Sequence, residues 1–205
     1  MTSVGLISDV HATPGPVAEA LALFAREGVG QVFCAGDIAG YREELAETVA
    51  LLTGHGVRSV LGNHDLQYLD HQDDGEDDPA VAYFNQLPAS IDTEIAGKRL
   101  YVVHAHPPDA CHGGIKLRNR EGIVQADRVA DWAERLQSFE PDVLVVGHTH
   151  QVFAEQVGNT LVVNPGSAAF NYSCAILRLP SMTVDTFPLS GQTIKMTWNW
   201  SDHVR

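Results

Sequence analysis

Five short apolar runs, each ending in a residue able to ligate a metal, constrain this chain more than anything else in it. Val4 to Ser8 leads into Asp9-Val10-His11, and Gln31 to Ala35 into Gly36-Asp37-Ile38-Ala39-Gly40. Arg58 to Leu61 leads into Gly62-Asn63-His64-Asp65, Arg99 to Val103 into His104-Ala105-His106, and Val143 to Val146 into Gly147-His148-Thr149-His150. Runs of this length, rich in Val, Ile and Leu, read as strands, and the stretches between them carry a helical period. Val17, Leu21 and Phe24 share one face of a helix that Pro16 opens and Gly28 stops. Further helices are expected over Arg42 to Leu52, Pro79 to Leu87 and Gly122 to Phe139, the last with Val129, Trp132 and Leu136 on one side. Three more strands, Leu161 to Val163, Ala175 to Leu179 and Thr183 to Phe187, bring the expected number to eight. That number requires two sheet layers or one large mixed sheet. The fold class is α/β.

In open α/β sheets the loops at the strand carboxyl ends form the ligand crevice, so clusters spread over most of the chain should converge. Six of the ten histidines lie in them, which scattered placement does not explain. Taken singly, each piece has a plain reading: an Asp after a strand caps a helix, Gly-Asn-His-Asp makes a turn, and a His-x-His pair sits at the surface. Together and in this order they point to metal. An x-ligand-y-ligand spacing on extended chain aims both side chains the same way, which suits Asp9 with His11 and His148 with His150 to gripping an ion. Imidazole, carboxylate and amide oxygen fit Mn, Fe, Zn or Ni, while the absence of Cys speaks against a purely structural zinc.

Composition narrows the partners. A formal net charge of −13 over 205 residues argues against long nucleic acid, which is held by clustered Lys and Arg. No apolar run approaches the length of a membrane span, and the N-terminus shows no targeting pattern, so one domain over 1–205 in the cytoplasm is expected. Cys34 and Cys174 read as small core residues and Cys111 as a loop thiol. Six acidic residues between Asp70 and Asp78 read as a solvated loop, with a calcium site as a weaker rival because the alternating oxygen pattern is missing.

At this point the chain resembles the calcineurin-like metallophosphoesterase superfamily. The five blocks match its ordered signature of Asp-x-His, Gly-Asp-x-x-Gly, Gly-Asn-His-Asp, a lone His after a strand and Gly-His-x-His, and they span about Val4 to Ser167. Asn164-Pro165-Gly166-Ser167, a turn on its own, resembles the small bacterial and archaeal phosphodiesterase branch. The resemblance implies two mixed β-sheets packed as a sandwich flanked by helices, with a dimetal site at the carboxyl ends of the strands. It further implies that Asp9, His11, Asp37 and His150 hold one ion and that Asp37, Asn63, His104 and His148 hold the other, with Mn the favoured metal. Two such ions roughly 3.5 to 4 Å apart bind phosphoryl oxygens and activate a shared water for in-line attack. His64, outside the ligand set, is placed to protonate the leaving oxygen, and Asp65 either fixes the His64 tautomer or caps the following segment.

Two departures bear on substrate. Ala105 stands where the family usually has Gly, and the block after Gly36-Asp37 lacks the Asp-Arg-Gly continuation of the Ser/Thr protein phosphatases, which disfavours that subfamily. His106 is expected to support a ligand or bind substrate. The segment 107–121 reads as a lid or insertion, hinged at Gly113-Gly114, with Lys116, Arg118 and Arg120 beside an anion site; Arg118 and Arg120 are the expected substrate contacts, solvated charge being the competing reading. The preferred function is a phosphodiesterase for a small diester, with a nucleotide among the candidates. Phosphomonoesterase and dinucleoside polyphosphate hydrolase are the enzymatic rivals. A scaffold with a vestigial site, as in the retromer subunit that resembles these enzymes, is the rival of another class. A homo-oligomer is compatible with the sequence.

Overall fold

The structure is a computed structural model that describes residues 1–71 and 78–199. Its strands are β1 (Thr2–Ile7), β2 (Gln31–Cys34), β3 (Arg58–Ser59), β4 (Ser90–Ile95), β5 (Lys98–Val103), β6 (Val143–Val145), β7 (Val152–Val157), β8 (Thr160–Pro165), β9 (Ser173–Leu179) and β10 (Thr183–Pro188). Its helices are α1 (Pro14–Arg26), α2 (Leu45–Gly54), α3 (Asn63–Asp70), α4 (Pro79–Phe84) and α5 (Ala126–Arg135). One sheet runs β10-β9-β1-β2-β3 and the other β4-β5-β6-β8-β7. The centre of each is parallel, β1 with β2 and β3 in the first and β5 with β6 and β8 in the second, and antiparallel strands complete them.

Strand side chains alternate between faces, and both faces are covered. Val4, Leu6 and Phe33 of the first sheet meet Leu100, Val102, Val143, Val145 and Val163 of the second in a buried layer between them. Ile7 and Cys34 point outward into a cluster with Val17, Leu21 and Phe24 of α1 and Val49 and Leu52 of α2. Tyr101, Val103, Leu144 and Val162 face outward on the other sheet, against Leu136 and the partly buried Val129 and Trp132 of α5. Each fully buried side chain of this size contributes about 1.5–3 kcal/mol. Central strands buried on both faces explain the unbroken apolar runs of the sequence.

Two strands and a helix lie outside the sequence expectation. β4 and β7 are the edges of the second sheet; their half-solvated alternation, Ser-Ile-Asp-Thr-Glu-Ile and Val-Phe-Ala-Glu-Gln-Val, lacks the apolar run of a central strand. Helix α3 begins inside the block expected to be a turn, because Gly62 is its N-cap and the Asp65 carboxylate accepts the Gly62 N–H at 2.8 Å. Helix α1 opens at Pro14, two residues before the Pro16 start expected from the sequence. Asp70 ends α3 and Asp78 caps α4 by accepting the Ala80 N–H; the rest of the acidic segment, with the calcium reading placed on it, lies outside the described residues. Cys34 and Cys174 are buried and Cys111 half-buried, all as free thiols. No helix among the described residues is long and apolar enough to cross a membrane.

Candidate metal centre

All five blocks meet at one end of the sandwich. The first sheet delivers Asp9 and His11 after β1, Asp37 after β2 and Asn63 at the start of α3. The second delivers His104 after β5 and His148 and His150 after β6. The loops interlock through backbone bonds, Asp9 N–H to Gly36 O at 2.9 Å and His11 N–H to Asp37 O at 3.1 Å. Asp9, His11, Asp37, His148 and His150 all sit at positive φ, between 45° and 63°, a conformation that non-glycine residues adopt at a cost of order 1–3 kcal/mol each and that marks functional sites. The glycines of the motifs answer a different need. A Cβ on Gly62 would lie 2.2 Å from both the backbone nitrogen and Oδ1 of Asp37, and one on Gly147 would lie 2.0 Å from Ser8 Oγ; the ligand loops close only without those atoms.

The donors form overlapping sets. Asp9, His11 and His150 bring ligand atoms within 4.8 Å of one another, Asp37, His104 and His148 do the same, and His64 joins His11 and Asp37 in a third group. Nδ1 of His11 lies 3.0 Å from Ala39 O and Nδ1 of His104 lies 2.7 Å from Ala35 O. A carbonyl only accepts, so each Nδ1 carries the proton and each Nε2 turns a lone pair to the centre. There His11 Nε2 stands 3.3 Å from His150 Nε2, and His150 Nε2 stands 3.3 Å from Asp9 Oδ1. On the other side His104 Nε2 lies 3.3 Å from Asp37 Oδ1 and 3.2 Å from Asn63 Oδ1, which is 2.9 Å from His148 Nδ1. So many acceptors facing one another fit a divalent cation. Turning over the Asn63 amide would satisfy both rings with N–H donors and give the His64 N–H an acceptor. That N–H already donates to Asp37 Oδ1 at 2.9 Å, so the oxygen-inward orientation does not strand it, and the oxygen among ring nitrogens suits an ion.

The charges agree with this. Burial disfavours the Asp9 carboxylate, yet His150, His104 and His11 outweigh it and hold it below the usual carboxylate range. Burial acts on Asp37 in the same sense, and His104 overcomes it. Burial brings His11 down to about 4, and burial with the charge of His104 brings His148 down to about 4. His104 goes the other way: burial pulls down, but Asp37 at its Nε2 lifts it to about 9. The proton held there occupies the position a cation takes, so the two compete.

Supporting residues that the sequence hid close the frame. Ser8 Oγ donates to Asp9 Oδ2 at 2.6 Å, and Ser167 Oγ donates to Asp9 O at 2.6 Å. Asn164 Nδ2 donates to Gly147 O and to Thr149 Oγ1. The Asn164-Pro165-Gly166-Ser167 turn thereby holds the Asp9 and His148 loops together. Only its resemblance to one family branch marked it in the sequence.

His64 sits beside the donors, its ring centroid 5.1 Å from that of His11 and 4.6 Å from that of Tyr41, in the room that Gly40 leaves: a Cβ there would be 2.7 Å from His64 Nδ1. Its neighbour Asp65 has a different job from the catalytic one considered. Asp65 is fully buried and accepts backbone N–H groups of Ile38 at 2.8 Å, Ala39 at 2.7 Å and Gly62 at 2.8 Å. It ties the Asp37 loop to α3 and makes no hydrogen bond to His64. Burial, then the charge of Asp37, pushes its carboxyl up to about 7 despite those bonds.

Three substrate expectations need correction. His106 turns away from the donors: its Nδ1 donates to Pro107 O at 2.9 Å and its ring packs 5.8 Å from Trp132 of α5, because the chain bends back at once through the His106 and Ala110 bridge. Ala105, for the same reason, needs no glycine-like φ. Arg118 is committed inside the protein, its Nε donating to Val152 O, its Nη1 to Gly122 O and its Nη2 3.8 Å from Glu155. Nor is 107–121 a free lid. Ile115 and Leu117 are fully buried, and Gly114 is a close-packing point where a Cβ would meet Thr149 Cγ2 at 2.5 Å.

A cavity of about 420 Å³ opens over the donors, lined by Asp37, Asn63, His64, Lys116, His148 and His150 with Tyr41, Trp198 and Asn199 on its rim. The Trp198 ring stacks on Phe170 at 4.2 Å, and the Trp198 backbone N–H donates to His150 O. Lys116 is thus the cation of the 107–121 segment that lines this cavity, ahead of either arginine favoured from the sequence.

A family model described as the calcineurin-like phosphoesterase superfamily domain matches residues 2–181. Uncharacterized protein MJ0912 of Methanocaldococcus jannaschii is 25% identical over 186 residues, which are 80% of this chain and 68% of that protein. Hypothetical protein PH1004 from Pyrococcus horikoshii superposes with a TM-score of 0.73 at 16% identity, over 95% of this chain and 89% of that one. A structure described as a novel archaeal phosphodiesterase superposes with a TM-score of 0.61 at 19% identity, over 92% of this chain and 100% of that one. The solved structures share the fold, and the match of the family model over most of the length, on a site with two donor sets linked by a third, places the chain in the calcineurin-like phosphoesterase superfamily.

Proposed function

We propose that this metallophosphoesterase is a phosphodiesterase for small diesters, nucleotide esters among them, with manganese as its working metal. The observation that carries the reading is the pair of donor sets, Asp9, His11 and His150 on one side and Asp37, His104 and His148 on the other, linked by the group that His11 and Asp37 form with His64. Two divalent ions, when bound, supply Lewis acidity at the phosphoryl oxygens and an activated water. The chain supplies the rest. The Nδ1 bonds of His11 and His104 hold both rings with Nε2 inward, so no reorganisation is needed when charge develops. His64, in the wall of the cavity, gives a proton to the departing alkoxide, and the Tyr41 and His11 rings fix its orientation.

Preference for a diester over a monoester is supported by space on both sides of the donors. His64 also lines a second cavity with Gly40, Tyr41, Gln67, Tyr68 and His71, while Lys116 and Asn199 lead to a third. A diester has two substituents to place and a monoester one. The similar structure of an archaeal phosphodiesterase points the same way. The test is turnover of bis(p-nitrophenyl) phosphate against p-nitrophenyl phosphate by the manganese-loaded protein. The diester is expected to have the higher kcat/KM; faster turnover of the monoester makes this a phosphomonoesterase, and no turnover of either favours a scaffold.

A further inference from the structure

We propose that the group retained by the phosphorus after cleavage carries a second phosphate, bound in a basic cavity next to the metal centre by Lys116 and Arg120. This rests on the phosphodiesterase reading. The cavity, of about 350 Å³, is lined by Lys116, Arg118, Arg120 and Arg128 with Asn119, Glu121, Gln151 and Asn199. Four of the 13 Lys and Arg residues of a chain with net charge −13 therefore line one hollow. Chance placement on an acidic surface does not favour that concentration, and a positive hollow in a negative protein draws anions to that point.

The four cations divide in two. Arg118 is tied as described, and Arg128 Nη1 donates to Arg118 O at 2.7 Å, so these two form a fixed floor. Lys116 and Arg120 are exposed, and neither side chain has a hydrogen-bond or ion-pair partner among the described residues. Buried Leu117 anchors the strand-like segment between them, and Thr197 Oγ1 donates to Arg120 O, so their backbone is held while their charges are free. Lys116 and Asn199 line both this hollow and the cavity over the donors, which makes the two neighbours.

The direction follows from the chemistry. His64 marks the side on which the leaving oxygen takes its proton, and in in-line displacement the retained substituent projects sideways from that axis. It then has the Lys116 side to occupy. A guanidinium fork and an ammonium suit a phosphate dianion there. The substrate class is thus a phosphodiester whose retained alcohol is itself phosphorylated, such as a nucleoside 3′-phosphate linked through its 5′-phosphate.

The test compares thymidine 5′-(p-nitrophenyl phosphate) with the same ester bearing a 3′-phosphate. Leaving group and nucleoside are identical, so only the second phosphate differs. The wild type is expected to prefer the phosphorylated ester about tenfold or more in kcat/KM, the worth of one charge-assisted contact. Arg120→Ala and Lys116→Ala should pull the ratio toward one, Arg120→Lys should keep part of it, and Arg26→Ala on the exposed face of α1 should keep all of it. Calorimetry of thymidine 3′,5′-bisphosphate against thymidine 5′-phosphate on the metal-loaded protein reads the same subsite without turnover. A wild-type ratio near one in both assays, or a preference that survives Arg120→Ala with Lys116→Ala, overturns the proposal. If neither ester is cleaved while the bisphosphate still binds more tightly through Arg120, the diesterase reading fails and the anion subsite stands.

Discussion

Replacing Asp65 separates a framework role from a chemical one, and its effect can be worked from three hydrogen bonds. In Asp65→Ala the N–H groups of Ile38, Ala39 and Gly62 lose their acceptor in a fully buried place. An orphaned buried donor costs about 1–3 kcal/mol, which gives ~3–9 kcal/mol before relaxation. A water admitted to the space left by the carboxylate can take part of that load, so about 3–5 kcal/mol is expected, within a total stability of about 5–15 kcal/mol. Asp65→Asn is the finer probe. Its oxygen can keep Ile38 and Ala39, but its amide nitrogen then faces the Gly62 N–H, donor to donor, for about 1–3 kcal/mol. Because Asp65 ties the Asp37 loop to the helix that begins with Asn63, metal affinity should fall ~10–100-fold, the usual effect of losing a ligand's support. Denaturant unfolding and competitive metal titration measure both. The dependence of residual rate on leaving-group pKa should match that of the wild type. Asp65→Ala with stability within 1 kcal/mol and unchanged metal affinity refutes the framework role, and an altered leaving-group slope returns Asp65 to the chemistry.

Other consequences are as direct. Asp37→Ala should be the most damaging ligand change, since Asp37 belongs to the set with His104 and His148 and to the group with His11 and His64 that links the two sides; elemental analysis should find two metals per wild-type chain, and a wild type saturating at one counts against the dinuclear centre. His64→Ala should keep its metals and lose ~10²- to 10⁴-fold in turnover, less for very acidic leaving groups; equal losses across the series would remove the acid role. Gly62→Ala should abolish metal binding even though Gly62 has a negative φ of −105° that alanine tolerates, because its Cβ would collide with Asp37; retained metal shows that the loop can yield. Near pH 8, metal loading should release about one proton, the one His104 holds with its pKa raised to about 9, while His11 and His148, lowered to about 4, release none. Release should vanish as pH rises past that of His104, and calorimetry in buffers of different ionisation enthalpy reads it.

Much of this was legible in the amino-acid order, and the reason is physical. Central strands covered on both faces leave long apolar runs, so β1, β2, β5, β6 and β8 stand out, and the crevice rule places Asp9, Asp37, His104 and His148 at their ends. Edge strands β4 and β7 pair on one side only and mix polar with apolar residues, so they pass for loops. Arg118 and Arg120 look equivalent in sequence. Backbone carbonyls of Val152 and Gly122 capture the first, and solvent keeps the second, a distinction made by contacts 4 and 34 residues away in the chain. The same holds for His106, whose chain reverses within four residues, and for Ser167, which reaches Asp9 across 158 positions.

The donor sets take their members from both sheets: Asp9 and His11 stand against His150, and Asp37 stands against His104 and His148. Elsewhere the two sheets touch through apolar side chains, which attract without direction and tolerate small slips. A pair of ions at the open end acts as a rivet through two plates. Hydrogen bonds such as His104 Nδ1–H to Ala35 O and His148 N–H to Asp9 already bring the two plates together there, and the cations, once bound, would draw them tight. The bare protein should therefore keep its mouth in place, and supply of metal should lock a gap that the fold has already set.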